Sequence, residues 1–322
     1  IKLKYIFDIE GCKIKVLLNK VIRKMFFWFI SKSKLLNKWK NIINNILDDE
    51  YDTYISFMEG ISTKIIDLIA PLDKNRIAWV HTDVSTYTWY KKYYKSKIEE
   101  LDCYRRYNHI VCVSKDSKKG FEKSYFINDC VKVIYNALDK DIIYKKSKEK
   151  VNLSDKLNIC CIGRLEHEKG QDILINALSK VNKDIKLYLL GDGSNRKKLE
   201  NLVEELGLSD NVDFIGFEEN PYKYIKNCDV VISPSRHEGF SLVVAESIIL
   251  EKMIISTKCS GPVEILDNGK YGILVENQDD LSININKILK DKNIIEKYEY
   301  LSRERKSIFD IKLTIDKVCN LI

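Results

Sequence analysis

The chain has 322 residues, 45% of them hydrophobic and 31% charged, which describes a soluble globular protein too long for a single core, so two domains are expected. No apolar run reaches the about 18 residues of a membrane span, and the opening Ile1-Lys2-Leu3-Lys4 lacks the apolar core and cleavage site of a signal peptide. Net charge is +7 but unevenly placed: residues 1–150 hold 30 Lys and Arg against 19 Asp and Glu, whereas residues 151–322 hold 24 against 28.

In chain order, residues 20–47 read as helical, with Trp28, Phe29 and Trp39 set among Lys24, Lys32, Lys38 and Lys40. Such helices suit a membrane interface or an ordinary pair of core helices. From Tyr51 onward strands and helices alternate. Residues 51–57 read as a strand, 61–70 as a helix stopped at Pro71, and 77–80 as a strand ending at His81-Thr82-Asp83. A Tyr- and Lys-rich helix covers 86–106, 110–113 is a strand, Ser114 caps the next helix, and 131–134 is the last strand of this half. Lysine-rich residues 145–156 read as a linker. A second set opens with Leu157–Ile162, continues with strands near 185–190, 212–215, 229–232, 253–256 and 272–275, and is helical from about 278. This alternation implies parallel sheets with helices on both faces.

The chemistry concentrates at strand ends in the second half. Val230-Val231-Ile232 leads into Ser233-Pro234-Ser235-Arg236-His237-Glu238-Gly239-Phe240-Ser241, and a helix is expected from Gly239 to Leu250. On such a helix Glu238 and Glu246 share roughly one side, about 12 Å apart. That spacing fits a nucleotide diphosphate sugar, with sugar hydroxyls at one end, ribose hydroxyls at the other and an anionic diphosphate between. A carboxylate inside so apolar a helix is costly unless something hydrogen-bonds it. The strand at 157–162 ends in Gly163-Arg164-Leu165-Glu166-His167-Glu168-Lys169-Gly170, where a planar fork and a point charge stand together, a fitting pair for a diphosphate. Gly191-Asp192-Gly193 follows the next strand without the third glycine of a dinucleotide fingerprint and reads as close loop packing. His81 stands at the carboxyl end of a first-half strand, either lining a reaction centre or orienting a neighbour. Nine cysteines without C-x-x-C spacing point to reduced thiols in a cytoplasm, and neither the histidines nor the carboxylates show metal-ligand spacing.

Gly163-Arg164-Leu165 with Lys169-Gly170, Gly191-Asp192-Gly193, and Glu238 with Glu246 framing Gly239-Phe240-Ser241 resemble the retaining, nucleotide-sugar-dependent glycosyltransferases of family four. Trp79-Val80-His81-Thr82-Asp83 and Ile134-Tyr135-Asn136 look like bacterial capsule or exopolysaccharide members. The resemblance implies an α/β fold of two facing Rossmann-like domains, the GT-B architecture. Arg164 and Lys169 would hold the diphosphate beside Gly163. Glu238 with Gly239, Phe240 and Ser241 would contact the donor sugar, Glu246 the ribose, and His81 the reaction centre from the acceptor side. The donor is expected to be UDP-linked, the acceptor a glycan or lipid-linked sugar of surface polysaccharide, and no cofactor or metal is expected. The expected place is the cytoplasm, at the inner face of the membrane, with peripheral membrane contact and no nucleic acid as further expectations.

Expected boundaries are 1–147 for the acceptor-side domain, 148–305 for the donor-binding domain, and 306–322 for a helix packing back on the first. The family's opening strand and glycine-rich loop are missing from the first domain, and the first residue is not Met. The first domain is therefore expected to be incomplete, with a βαβ unit upstream. Two other readings stand beside this one: a nucleotide-sugar epimerase of the same fold, and a non-catalytic membrane-binding nucleotide-sugar protein.

Overall fold

The structure is a computed structural model and describes residues 51–322. The basic helices expected over residues 20–47 lie outside the described residues. The described chain divides into two compact units, one of residues 51–78 with Thr88–Asn108, the other of Trp79–Tyr87 with His109–Ile322.

The chain opens with β1 (Thr53–Ser56), α1 (Ile61–Ile69) and β2 (Asn75–Val80). The helix expected over 86–106 is instead a 3-10 turn at Trp89–Tyr93 followed by α2 (Lys97–Arg105). Ser96 causes the restart, because its hydroxyl accepts the Glu99 N–H at 3.1 Å and caps a new helix. Then come β3 (His109–Cys112), α3 (Lys115–Tyr125), β4 (Val131–Val133) and α4 (Lys140–Ser147). Ser114 caps α3 as expected, accepting the Ser117 N–H at 3.0 Å. Part of the expected linker is therefore helix α4, started by Asp139, whose carboxylate accepts the Ile142 N–H at 3.0 Å. The four strands lie in the order β1-β2-β3-β4, with β1 parallel to β2 and β3 parallel to β4.

Buried charge holds the first unit. Arg76 is buried, donating to Ala70 O at 2.6 Å and Pro71 O at 3.2 Å. Asp67 receives Arg106 through a fork of two 2.6 Å bonds. Such bidentate pairs add direction to charge and fix the α1–α2 packing.

In the second unit, β5 (Leu157–Ile162), α5 (Gln171–Leu178), β6 (Ile185–Leu190), α6 (Arg196–Glu205), β7 (Val212–Gly216), α7 (Tyr222–Asn227) and β8 (Val230–Ser233) alternate without interruption. They are followed by α8 (Leu242–Ile249), β9 (Met253–Thr257), α9 (Ser260–Ile265), β10 (Ile273–Val275), α10 (Gln278–Lys290), α11 (Asn293–Arg305) and α12 (Ile311–Cys319). The sheet order is β10-β9-β8-β5-β6-β7, all pairs parallel. Its strands read as near-continuous apolar runs because both faces are covered, and Ile159, Leu187, Val230 and Ile255 are buried with Leu174, Ile175, Leu281 and Ile285 of α5 and α10. The eight described cysteines are free thiols, six of them buried. Among the described residues no helix is long and apolar enough to cross a membrane.

The order reverses at β5, which has β6 on one side and β8 on the other. A crevice opens outside the carboxyl ends of strands at such a switch point, and it is where ligands of open α/β sheets bind. The two loops that leave this point follow β5 and β8.

Candidate active site

Backbone contact brings the β5 and β8 loops together. Gly170 has φ +66°, and a Cβ there would lie 2.0 Å from Pro234 O, so only glycine fits. Pro234 ends β8, and the loop runs to Ser241, whose hydroxyl accepts the Val244 N–H at 3.4 Å as the cap of α8. The helix expected from Gly239 therefore starts three residues later. Glu238 stands in the loop, not on the helix that carries Glu246, so their spacing is not set by helical geometry. Gly239 is wedged against another strand end: a Cβ there would lie 2.3 Å from His81 O.

Lys169 and Glu238 meet at the mouth of the crevice. Lys169 Nζ lies 2.7 Å from Glu238 Oε2, and the Ser235 hydroxyl donates to the same oxygen at 3.2 Å. The side chains are 26% and 15% exposed, so the pair is partly shielded from water and its field is weakly screened. Arg164 is 70% exposed and reaches Glu168 at 2.9 Å. Its carbonyl accepts from Gln171 Nε2 at 3.1 Å, which fixes the turn that carries it. Gly163 lies beside the Lys169 stem, which would be 3.7 Å from a Cβ built at the glycine.

The Gly191-Asp192-Gly193 turn is backbone packing. Cβ atoms at Gly191 and Gly193 would lie 2.0 Å from Gly163 O and 2.5 Å from Leu165 O, so this turn supports the β5 loop from below.

A cavity of about 400 Å³ is lined by His81, Arg164, Lys169, Glu238 and Gly239 among the residues expected from the sequence. Four others stand outside its lining. Gly163 is behind Lys169. Phe240 is buried and packs on Tyr135 and Phe309 at ring distances of 5.7 and 6.3 Å. Ser241 is spent on the cap. Glu246, on α8, accepts the Tyr222 hydroxyl at 3.2 Å. Burial raises its carboxyl from the ordinary 4.5 to about 7, against the lowering effect of that hydrogen bond. The folded state thus holds this proton more tightly than the unfolded chain, and Glu246 lowers stability as pH rises from the ordinary carboxyl range to about 7.

The sequence reading missed several lining residues. Lys258 follows β9, so the strand-end rule could have found it. Arg236 and His237 sat inside the stretch already singled out. Tyr87 stacks on His237 with ring centroids 5.8 Å apart at 19°; no local signal marked it, because its segment looked like one long helix. Among the described residues no group of three or more His, Cys, Asp or Glu side chains is placed to hold a metal ion.

The family model of "Glycosyl transferases group 1" matches residues 143–307, just over half of the chain. The chain is 28% identical over 331 residues to N-acetylgalactosamine-N,N'-diacetylbacillosaminyl-diphospho-undecaprenol 4-alpha-N-acetylgalactosaminyltransferase of Campylobacter jejuni, covering 99% of this chain and 89% of that one. Among solved structures, Anabaena Alr3699/HepE in complex with UDP and glucose superposes with a TM-score of 0.76 at 21% identity, over 89% of this chain and 80% of that one. Sucrose-phosphate synthase from Thermosynechococcus elongatus does so with a TM-score of 0.74 at 18% identity, over 90% and 78%. The fold is the GT-B class expected from the sequence. With its α/β architecture shared by these structures and half of its length matched by the family model, the chain belongs to the group 1 glycosyltransferases.

Proposed function

We propose that this glycosyltransferase moves a sugar from a UDP-linked donor to a glycan or lipid-linked acceptor in surface polysaccharide synthesis, with retention at the anomeric carbon. The observation that carries the reading is the Lys169–Glu238 pair, set at the sheet's switch point between the β5 and β8 loops. Support for the donor comes from the HepE complex, which holds UDP and glucose. Support for the acceptor comes from the Campylobacter relative, whose named substrate is a diphospho-undecaprenol glycan.

In this reading Lys169, with Arg164, takes the diphosphate, and Glu238 with the Gly239 backbone takes the donor sugar. Phe240 and Ser241 act from behind, through packing and the α8 cap. Glu246 binds the ribose, and His81 borders the reacting centre from the acceptor side. The acceptor hydroxyl attacks from the face the diphosphate leaves, and a leaving-group oxygen takes its proton, so no protein nucleophile is required. The protein contributes position and fixed charge. These donor contacts fall within residues 148–305, which we take as the donor domain. The place of action is the cytoplasm, with the lipid-linked acceptor drawing the enzyme to the membrane face.

A panel of nucleotide sugars, assayed for nucleotide release in the presence and absence of acceptor glycosides, tests this. Release of UDP from a UDP-sugar, with the sugar recovered on an acceptor in the α or β form of the donor, supports the reading. Epimerised donor with no transfer would replace it with a nucleotide-sugar epimerase. Transfer is further expected to be unchanged in EDTA. Loss of activity on chelation, restored by magnesium or manganese, would contradict the metal-free part of the proposal.

Glu246 gives the site a pH signature. Ribose hydroxyls donate to the ionised carboxylate, so donor binding favours loss of its proton. Affinity for a UDP-sugar, whose diphosphate has no proton that titrates near neutrality, should rise as pH increases towards about 7 and then level off. The slope below that point is about tenfold per pH unit at most. Calorimetric titration should show proton release there, and Glu246→Gln should remove both the slope and the release. A pH-independent affinity in the unaltered protein would separate Glu246 from the ribose.

A further inference from the structure

Arg236, two residues before Glu238, is bound along its length to the loop that carries Lys169. Its backbone N–H donates to Glu168 O at 2.8 Å. Its guanidinium donates to His167 O at 2.8 Å through Nη1, and to both oxygens of Asp172, at 2.8 Å from Nη1 and 2.6 Å from Nη2. Asp172 lies in the first turn of α5, the helix that follows the β5 loop. Burial works against its charge, but the Arg236 bonds overcome that and hold its carboxyl below the usual range.

The two carbonyls that Arg236 engages belong to the residues immediately before Lys169. The splice thus grips the β5 loop just ahead of the cation and the β8 loop just ahead of the carboxylate. Behind it, Gly170 rests on Pro234 O and closes the same junction. The 2.7 Å Lys169–Glu238 contact is the outer end of this junction. A bidentate fork fixes orientation as well as distance, which a lysine at the same place cannot do.

We propose that Arg236, anchored by Asp172, is the positioning residue that sets Lys169 and Glu238 in register for the donor, acting through that pair and not as a ligand of the substrate. This rests on the donor reading above. Loosening the splice displaces both groups together, and a misplacement on the order of 1 Å can cost up to about a hundredfold in rate. A role confined to stability would instead lower the melting temperature and leave turnover per folded molecule unchanged.

The test compares Arg236→Lys, Asp172→Asn, Glu238→Gln and the double variant Arg236→Lys/Glu238→Gln with the unaltered protein. UDP release from the UDP-sugar turned over in the panel gives kcat, UDP titration gives Kd, and thermal unfolding reports the folded fraction. Arg236→Lys and Asp172→Asn are each expected to lower kcat about tenfold or more, with a smaller change in UDP Kd, and Asp172→Asn carries the test where the arginine variant folds poorly. In the double variant the arginine change should add no more than about twofold to the loss from Glu238→Gln, because groups that act through one another are not additive. Losses that multiply, or a kcat per folded molecule that stays unchanged in both single variants, overturn the proposal. A UDP affinity that falls more than kcat in Arg236→Lys but not in Asp172→Asn would make Arg236 a phosphate ligand and overturn it as well. If Glu238→Gln itself turns over normally, the donor reading has failed, which is a separate outcome.

Discussion

Glu238→Gln is expected to lower sugar transfer about a hundredfold, the loss typical when one preorganised electrostatic group is removed from a reacting centre. The substitution keeps the shape and hydrogen-bonding reach of the side chain and removes only its charge. Ser235 can still donate to the remaining oxygen, so the loop should hold its course. UDP affinity should change by less than about threefold, because UDP lacks the sugar that Glu238 is proposed to contact and the Lys169 ammonium beside it is kept. Steady-state release of UDP and a UDP titration, run on the same preparation, separate the two effects. Equal losses in both would mean that Glu238 is a general support of the site and not a donor-sugar contact.

Lys169→Ala should have the opposite profile, with UDP affinity falling about ten- to a hundredfold, the worth of one charge-assisted contact of roughly 1.5–3 kcal/mol. Arg164→Ala should cost less. Its side chain is 70% exposed, against 26% for Lys169, so water and salt screen it more strongly. Both variants should melt near the unaltered protein, since neither cation carries core packing. The lysine effect should also weaken less with added salt than the arginine effect. Unchanged UDP affinity in both variants would remove the diphosphate from this loop.

Much of this was legible in the sequence, and the reasons for the failures are local. The strands of the second half were readable because a parallel sheet covered on both faces needs near-continuous apolar runs, and Leu157–Ile162 and Ile185–Leu190 are such runs, each broken only at its second residue by Asn158 or Lys186. Strand order was not readable, since nothing in Val230–Ser233 says that it will pair with β5. Glycines and charges at strand ends marked the two loops as suited to a ligand, and only the sheet order shows that they flank one crevice. The start of α8 was misplaced because Ser241 offers a stronger N-terminal signal than Gly239: a hydroxyl that caps Val244 outcompetes a residue with no side chain. That error put Glu238 on a helix it does not join. Tyr87 and His237 stack across 150 residues of sequence, a contact no periodicity records. Arg236 stands in the same stretch as Glu238, yet its partner Asp172 lies on another element, and only the fold joins them.

Whether the Lys169–Glu238 junction holds the diphosphate and sugar of a UDP-linked donor is decided by a structure of the protein with UDP bound. Diphosphate oxygens are expected within roughly 2.7–3.2 Å of Lys169 Nζ and of the Arg164 guanidinium. Ribose hydroxyls are expected on Glu246, with the terminal phosphate turned towards Glu238 and Gly239. UDP bound away from the β5 and β8 loops, or seated there with Lys169 and Glu246 making no contact to it, would mean that this junction is not the donor site.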